Sequence, residues 1–343
     1  MSVRILLEPS TWSIRRSPLW ACLLITLALA SCIPGSDEDP GTTASSAAAP
    51  TDLNVSFSEA MAHRTRVVIL GTGTPNADPE RSGPAVAVVV DDQAFIFDAG
   101  PGVVRRAAKA ARDLDIPALQ AQNLNQVFIT HLHSDHTLGL PDILLSPWVL
   151  DRPDRLRVVG PPGIDAMMGH IVMAYDADID RRINGLEPRD ANRDSYIPDV
   201  VETEGGVVYE DSDVRIEAIP VTHGDWSFSF AYKVTGPDRT IVISGDAAPS
   251  EPIVEACGGC DLLVHEIYSG ERFVTRPPEW QAYHSVFHTS PEQLADIATR
   301  AGAQKLVLYH QLYWGTDDEG LVSEMRAAGW TGPLQSAVDL GVY

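Results

Sequence analysis

Four side chains able to bind a metal fall within six residues, His131-Leu132-His133-Ser134-Asp135-His136, directly after the apolar run Val127-Phe128-Ile129-Thr130. That run reads as a buried strand. An extended chain puts His131 and His133 on one face, and a tight turn carries Asp135 and His136 round to a second centre. Imidazole nitrogens and carboxylate oxygens suit Zn²⁺ and similar ions, and a catalytic site of this kind keeps a position for water. Three of the chain's ten histidines lie in this loop, interleaved with an aspartate. Chance placement in a polar loop does not explain that clustering.

The elements around it repeat the arrangement. Apolar strands are followed by His131, by His223, by Asp246, by His265-Glu266 and by His310. Metal-binding side chains at the carboxyl ends of five strands describe a site on the rim of a rigid scaffold. Strands are expected at 67–70, 85–90 and 94–97 (a hairpin around Asp91-Asp92), 127–130, 156–159, 207–209, 214–220, 228–234, 240–244, 261–264, 306–309 and near 337–343. Helices are expected at 103–112, at 137–150 (interrupted by Pro141 and Pro147), at 164–183, at 251–256 and at 318–328. Another runs to Ala301 from Ser290-Pro291-Glu292-Gln293, with Ser as N-cap, Pro first and Gln third. The methionine-rich helix at 164–183 reads as core that can also roof a cleft. Residues 187–200 read as an acidic loop. Gly71-Thr72-Gly73-Thr74-Pro75 lacks the spacing and the following helix of a dinucleotide site.

Composition bounds the rest. The chain has 343 residues, 44% of them apolar, enough for one large domain or two small ones. Arg4, Arg15 and Arg16 precede an apolar run over residues 19–30, closed by Leu29-Ala30-Ser31-Cys32. Such a run is too short to span a bilayer and fits a secretory signal. Its last four residues resemble a bacterial lipobox, so residues 1–31 are expected to be a lipoprotein signal peptide and Cys32 the lipidated mature terminus. The export route, Sec or twin-arginine, stays open. Residues 32–62 are expected to be a disordered linker, and 63–343 the folded domain, held outside the cytoplasm and anchored to a membrane. Without residues 1–31 the formal charge is −24, and only Lys109, Lys233 and Lys305 are lysines. Nucleic-acid affinity comes largely from Lys and Arg on phosphates, so nucleic acid is not expected as a partner. Cys257-Gly258-Gly259-Cys260 is expected to be a disulfide. Monomer and oligomer both stay open.

Taken in order, His-Leu-His-Ser-Asp-His at 131–136, Pro-Val-Thr-His-Gly-Asp at 220–225, Ser-Gly-Asp at 244–246 and Tyr-His at 309–310 resemble the metallo-β-lactamase superfamily over roughly residues 64–343. The resemblance implies an α/β fold, a four-layer αβ/βα sandwich with a dinuclear site on one edge. It assigns His131, His133 and His223 to one ion, Asp135, His136 and His310 to the other, and Asp246 to both: two Zn²⁺ or similar divalent ions. Residues 70–75, 264–266 and 288–298 look like the branch containing ribonuclease Z and zinc arylsulfatases. Only residues 224–245 separate His223 from Asp246, which leaves no room for the tRNA-binding arm that the resemblance places there.

Two ions about 3.5–4 Å apart can bridge a hydroxide nucleophile. Asp135 is expected to orient it, and His288, with Glu266 holding its tautomer, to protonate the leaving group. The function expected is hydrolysis of a small phosphodiester or sulfate ester. Alternatives are a lactonase or β-lactamase-like ester and amide hydrolase, a ribonuclease Z-type endonuclease, and a lipoprotein with structural zinc. The last is opposed by a ligand set without cysteine.

Overall fold

Runs of valine, isoleucine and phenylalanine build two sheets in this computed structural model, which describes residues 51–187 and 193–343. The expected signal peptide, Cys32 and most of the expected linker lie outside the described residues. The first sheet comprises β1 (Thr65–Gly71), β2 (Ala85–Val90), β3 (Gln93–Phe97), β4 (Gln126–Phe128), β5 (Arg157–Gly160) and β6 (Asp199–Glu202), in that spatial order. The second comprises β7 (Gly206–Glu210), β8 (Arg215–Pro220), β9 (Phe230–Thr235), β10 (Thr240–Ile243), β11 (Leu262–Tyr268), β12 (Leu306–Leu312) and β13 (Leu334–Ser336), also side by side in sequence order. Each sheet starts antiparallel and ends parallel: β1 to β3 and β7 to β10 pair antiparallel, β3 to β6 and β10 to β13 parallel.

Parallel neighbours need crossovers, and the helices supply them. They are α1 (Thr51–Ala62), α2 (Val103–Asp113), α3 (Ser134–Thr137), α4 (Leu140–Val149), α5 (Ile164–Ala174), α6 (Asp176–Asn184), α7 (Glu251–Cys257), α8 (Gly270–Phe273), α9 (Pro278–Phe287), α10 (Pro291–Ala301) and α11 (Asp318–Ala327). The inner faces of the sheets meet in one core, where Val67, Ile69, Val88, Phe97 and Phe128 join Phe230, Tyr232, Val264 and Tyr309. The outer face of the first sheet packs Val68, Ala87 and Val127 with Ala107 of α2 and Leu144 of α4. That of the second packs Val242, Leu263 and Leu308 with Ile253 of α7, Leu294 of α10 and Leu321 of α11. Helix, sheet, sheet and helix are the four layers expected.

Several elements depart from expectation. Residues 51–62, expected to be linker, form α1: Ala60 is buried and Met61 packs beside it on the first outer core, contacts that override a loop-like composition. Within the expected acidic loop, β6 adds to β5 with Val158 opposite Val200. The helix expected over 164–183 breaks at Tyr175 into α5 and α6. Pro141 sits in the first turn of α4, where no N–H is needed. Pro147 does lie inside α4, and the Ile143 carbonyl that it cannot serve accepts from Arg152 Nη1 at 2.8 Å instead. Residues 269–289, without an expected element, carry α8 and α9. Cys257 and Cys260 form the expected disulfide at the end of α7, with Cα atoms 4.7 Å apart. No helix among the described residues is long and apolar enough to cross a membrane.

Candidate metal centre

The strand ends deliver the side chains. His131 and His133 follow β4, and α3 carries Asp135 and His136 in its single turn. His223 follows β8, and Asp246 follows β10. Both histidine and aspartate have a glycine neighbour that nothing larger can replace. Gly224 has φ +56°, and a Cβ there would lie 2.0 Å from the Phe287 ring. Gly245 has φ +58°, and its Cβ would meet Thr130 at 2.8 Å. His310 is set differently. Glu266 pairs with Tyr309 and Ile267 with Gln311, so His310 is the extra residue of a bulge, at φ +45°. A bulge re-aims a side chain at the cost of local strain.

The seven predicted ligands converge. His131, His133, His223 and Asp246 offer atoms all within 4.8 Å of one another, as do Asp135, His136 and His310. All are buried except His133, which is half-buried. Asp246 Oδ2 lies 3.4 Å from His136 Nε2 and 4.0 Å from His223 Nε2, and its Oδ1 lies 3.5 Å from His310 Nδ1. It therefore stands between the two groups. Asp135 Oδ2 lies 3.2 Å from His310 Nε2 and 3.5 Å from His136 Nε2.

Hydrogen bonds behind the rings fix the tautomers. Asp98 Oδ2 accepts from Thr130 Oγ1 at 3.0 Å and from His136 Nδ1 at 2.7 Å. With its only proton given to Asp98, Thr130 Oγ1 accepts from His131 Nδ1 at 2.9 Å. The Phe287 carbonyl accepts from His223 Nδ1 at 2.7 Å. His131, His136 and His223 therefore all turn Nε2 inward. His136 Nε2, Asp246 Oδ1 and His310 Nδ1 are buried without a hydrogen-bond partner, which a divalent ion would supply. The donor set fits such ions.

His133 is held in the opposite sense. Trp226 Nε1, which can only donate, donates to His133 Nε2 at 2.9 Å. The ring proton then sits on Nδ1, 2.9 Å from His131 Nε2 and 3.2 Å from His223 Nε2. One nitrogen cannot both carry this proton and bind an ion, so a bond from Trp226 to Nε2 and an ion on His133 Nδ1 exclude one another.

Charge follows the same layout. Burial pushes His131 well below the usual imidazole range and His223 down to about 4. Burial also disfavours charge on His136, yet Asp246, Asp98 and Asp135 together raise it well above that range. Asp246, despite burial, is held well below the usual carboxylate range by His310 and His136.

His288 and Glu266 lie beside this set. His288 Nδ1 is 3.4 Å from Glu266 Oε2, and Glu266 Oε1 accepts from the Thr289 amide at 2.8 Å. Burial lowers His288 to about 4 and raises Glu266 well above the carboxylate range, so both favour the neutral form. Asp246, His288 and His310 also offer atoms within 4.8 Å, so geometry alone leaves His288 in reach of an ion. His265 turns away from the site, its Nδ1 donating to the Glu266 carbonyl at 2.7 Å. His63 bonds Asp238, and His170 is exposed on α5. His284, without a role from spacing, lines the same cleft as His288. Asp98, Thr130 and Trp226 were not legible as site residues. Asp98 sits at φ +61° in the turn between β3 and α2.

The β-lactamase superfamily domain model matches residues 93–311. Ribonuclease Z of Mycobacterium bovis (strain BCG / Pasteur 1173P2) is 30% identical over 279 residues, covering 80% of this chain and 96% of that protein. Among solved structures, the metallo-beta-lactamase fold protein YhfI from Bacillus subtilis aligns with a TM-score of 0.60 at 16% identity, over 81% of this chain and 99% of that one. The short form of human tRNase Z aligns with a TM-score of 0.58 at 22% identity, over 81% and 98%.

Proposed function

The chain belongs to the β-lactamase superfamily and is a metal-dependent hydrolase of the metallo-β-lactamase fold, and from that premise we propose that it hydrolyses a small phosphodiester or sulfate ester. Zinc-class ions would be held by His131, His133 and His223 and by Asp135, His136 and His310, with Asp246 standing between the two sets. Bound there, they supply an activated water and a positive clamp on the oxygen that gains charge. Asp135 orients the attacking water from the floor of the cleft.

The observation that carries this reading is His288 in the wall of that cleft with fully buried Glu266 behind it, Nδ1 3.4 Å from Oε2. An ester whose leaving oxygen needs a proton is served by such a pair. Because burial keeps the imidazole neutral, the proton is stored on the Glu266 side. Glu266 Oε2 and His288 Nδ1 are both buried without a hydrogen-bond partner, so the proton passes to Nδ1 only once that contact tightens, as the other ring nitrogen gives one to the departing oxygen.

A ribonuclease is the second reading, favoured by the name of the M. bovis relative. The acidic balance weighs against it, as do the compact β9 and β10 between His223 and Asp246. The test is a panel on metal-loaded protein: bis(4-nitrophenyl) phosphate, 4-nitrophenyl sulfate, a lactone, a cephalosporin and a precursor tRNA. Turnover of the phosphodiester or sulfate is expected, and cleavage of only the tRNA, lactone or cephalosporin would overturn the proposal. We also propose that the enzyme works outside the cytoplasm on a lipid anchor at Cys32, a reading that the disulfide supports. Cys32→Ser should abolish lipid labelling, and retained labelling refutes the anchor.

A further inference from the structure

Of the clefts that reach the metal centre, two share His133 and Tyr283 in their walls. The first, about 670 Å³, is walled by Leu132, Pro161, Pro162, Trp226, Phe228 and Phe287, and its carboxylate is Asp225. Among the described residues no Lys or Arg lines it. The second, about 430 Å³, has Asp135, Asp246, His288 and His310 in its wall, together with Arg276, Trp280, His284 and Trp314.

Arg276 stands out chemically. The chain carries 47 acidic against 25 basic side chains, yet among the described residues this half-buried arginine makes no ion pair. Its Nε is buried without a hydrogen-bond partner. Its guanidinium lies over the Trp314 ring, 5.1 Å from the centroid. The backbone beneath is pinned, since the Arg276 carbonyl accepts from Gln281 Nε2 at 2.7 Å and its amide donates to Phe273 at 3.0 Å. Trp314 sits at φ +48°, a conformation that a bulky side chain rarely adopts. Its ring lies 4.6 Å from that of His284, which in turn stacks on Trp280 at 5.7 Å and 25°. Strain held at a ring that faces a cleft is the mark of a ligand clamp. A planar cation presenting free N–H groups over an aromatic face recognises carboxylate, phosphate or sulfate.

We propose that the second cleft is the leaving-group subsite, and that the natural leaving group is a planar aromatic alcohol carrying an anionic substituent, which Arg276 binds while the ring stacks against Trp280. The inference rests on the phosphodiester reading above. Hydrolysis breaks the bond from phosphorus to the leaving oxygen, the oxygen of water takes its place, and the proton on the departing alcohol comes through His288. His288 lines this cleft and not the first, so the departing group lies on the Arg276 side. The apolar first cleft then receives the retained ester group.

The test uses two methyl aryl phosphodiesters, one releasing 4-nitrophenol and the other the same phenol with a carboxylate ortho to the nitro group. For the metal-loaded wild type, kcat/KM should favour the carboxylated ester by about tenfold, mainly through KM. Arg276→Gln should abolish that preference, and Arg276→Lys should restore part of it. Binding of the two free phenols, read by quenching of tryptophan emission, needs no turnover, and the carboxylated phenol should bind about tenfold tighter. Failure to hydrolyse either ester would count against the phosphodiester reading alone, because the phenol comparison still tests the subsite. Equal binding of the two phenols, or the same ester preference in wild type and Arg276→Gln, would overturn the proposal.

Discussion

Trp226→Phe should tighten metal binding, although the ring touches a ligand from behind. The sign follows from which partner donates. Asp98, Thr130 and the Phe287 carbonyl accept from their histidines, which frees Nε2 for an ion. The Trp226 indole instead donates to His133 Nε2, which puts the proton on the nitrogen that an ion needs. Loading therefore costs the indole bond, worth about 1 kcal/mol net, and sets two N–H groups facing one another unless the indole moves. Phenylalanine fills most of the same space without an N–H. Apparent affinity for Zn²⁺ should rise about fivefold, the equivalent of that bond. Competition against a chromophoric chelator at fixed pH measures it. Zinc loading should also change tryptophan emission in the wild type, and that change should shrink in the variant. An affinity equal to wild type or weaker would refute the tautomer argument.

Asp98→Asn should act in the opposite direction, since an amide oxygen that serves His136 and Thr130 Oγ1 sets its NH2 against the Thr130 amide that Oδ1 now accepts from at 2.8 Å, and metal affinity should fall by about 10- to 100-fold by the same competition assay. His288→Ala should slow nitrophenyl esters little but esters of poorer leaving groups by roughly 10²- to 10⁴-fold. Parallel dependence on leaving-group pKa in wild type and variant, or a lost ion, would mean that His288 positions substrate or binds metal instead. Buried His265, held at about 4 by burial, stays neutral when the unfolded chain takes a proton near 6.5, so stability should fall as pH drops through that window, by about 3 kcal/mol once below both values. His265→Gln should flatten this part of the urea-midpoint profile, and parallel profiles for the two proteins would exclude the assignment.

What the sequence made legible is what is locally encoded. His131, His133, Asp135 and His136 announce themselves because scarce residue types crowd one loop after an apolar run. His223 and Asp246 follow because each comes after its own strand, and His310 because it breaks the apolar run of β12. Asp98 has no such mark. It is one of 47 acidic residues, and it reaches Thr130 and His136 only because β3 and β4 pair in parallel, Phe97 beside Phe128. That pairing joins segments about thirty residues apart, and nothing local specifies it. The edge strand β6 was equally silent, since its residues are half-buried or exposed and alternate weakly. The case of α9 is different, because a signal existed. Pro278 opens it, and Trp280, Tyr283, His284 and Phe287 recur at helical spacing along one face. Counting His284 as polar hides the stripe, yet a histidine ring packs as an aromatic. The four line the two clefts rather than a core. Helical periodicity, had it been read there, would have located a wall of the site without revealing that the wall encloses substrate. That distinction needed the positions of Arg276 and Trp314, which come from separate segments on either side of α9 and α10.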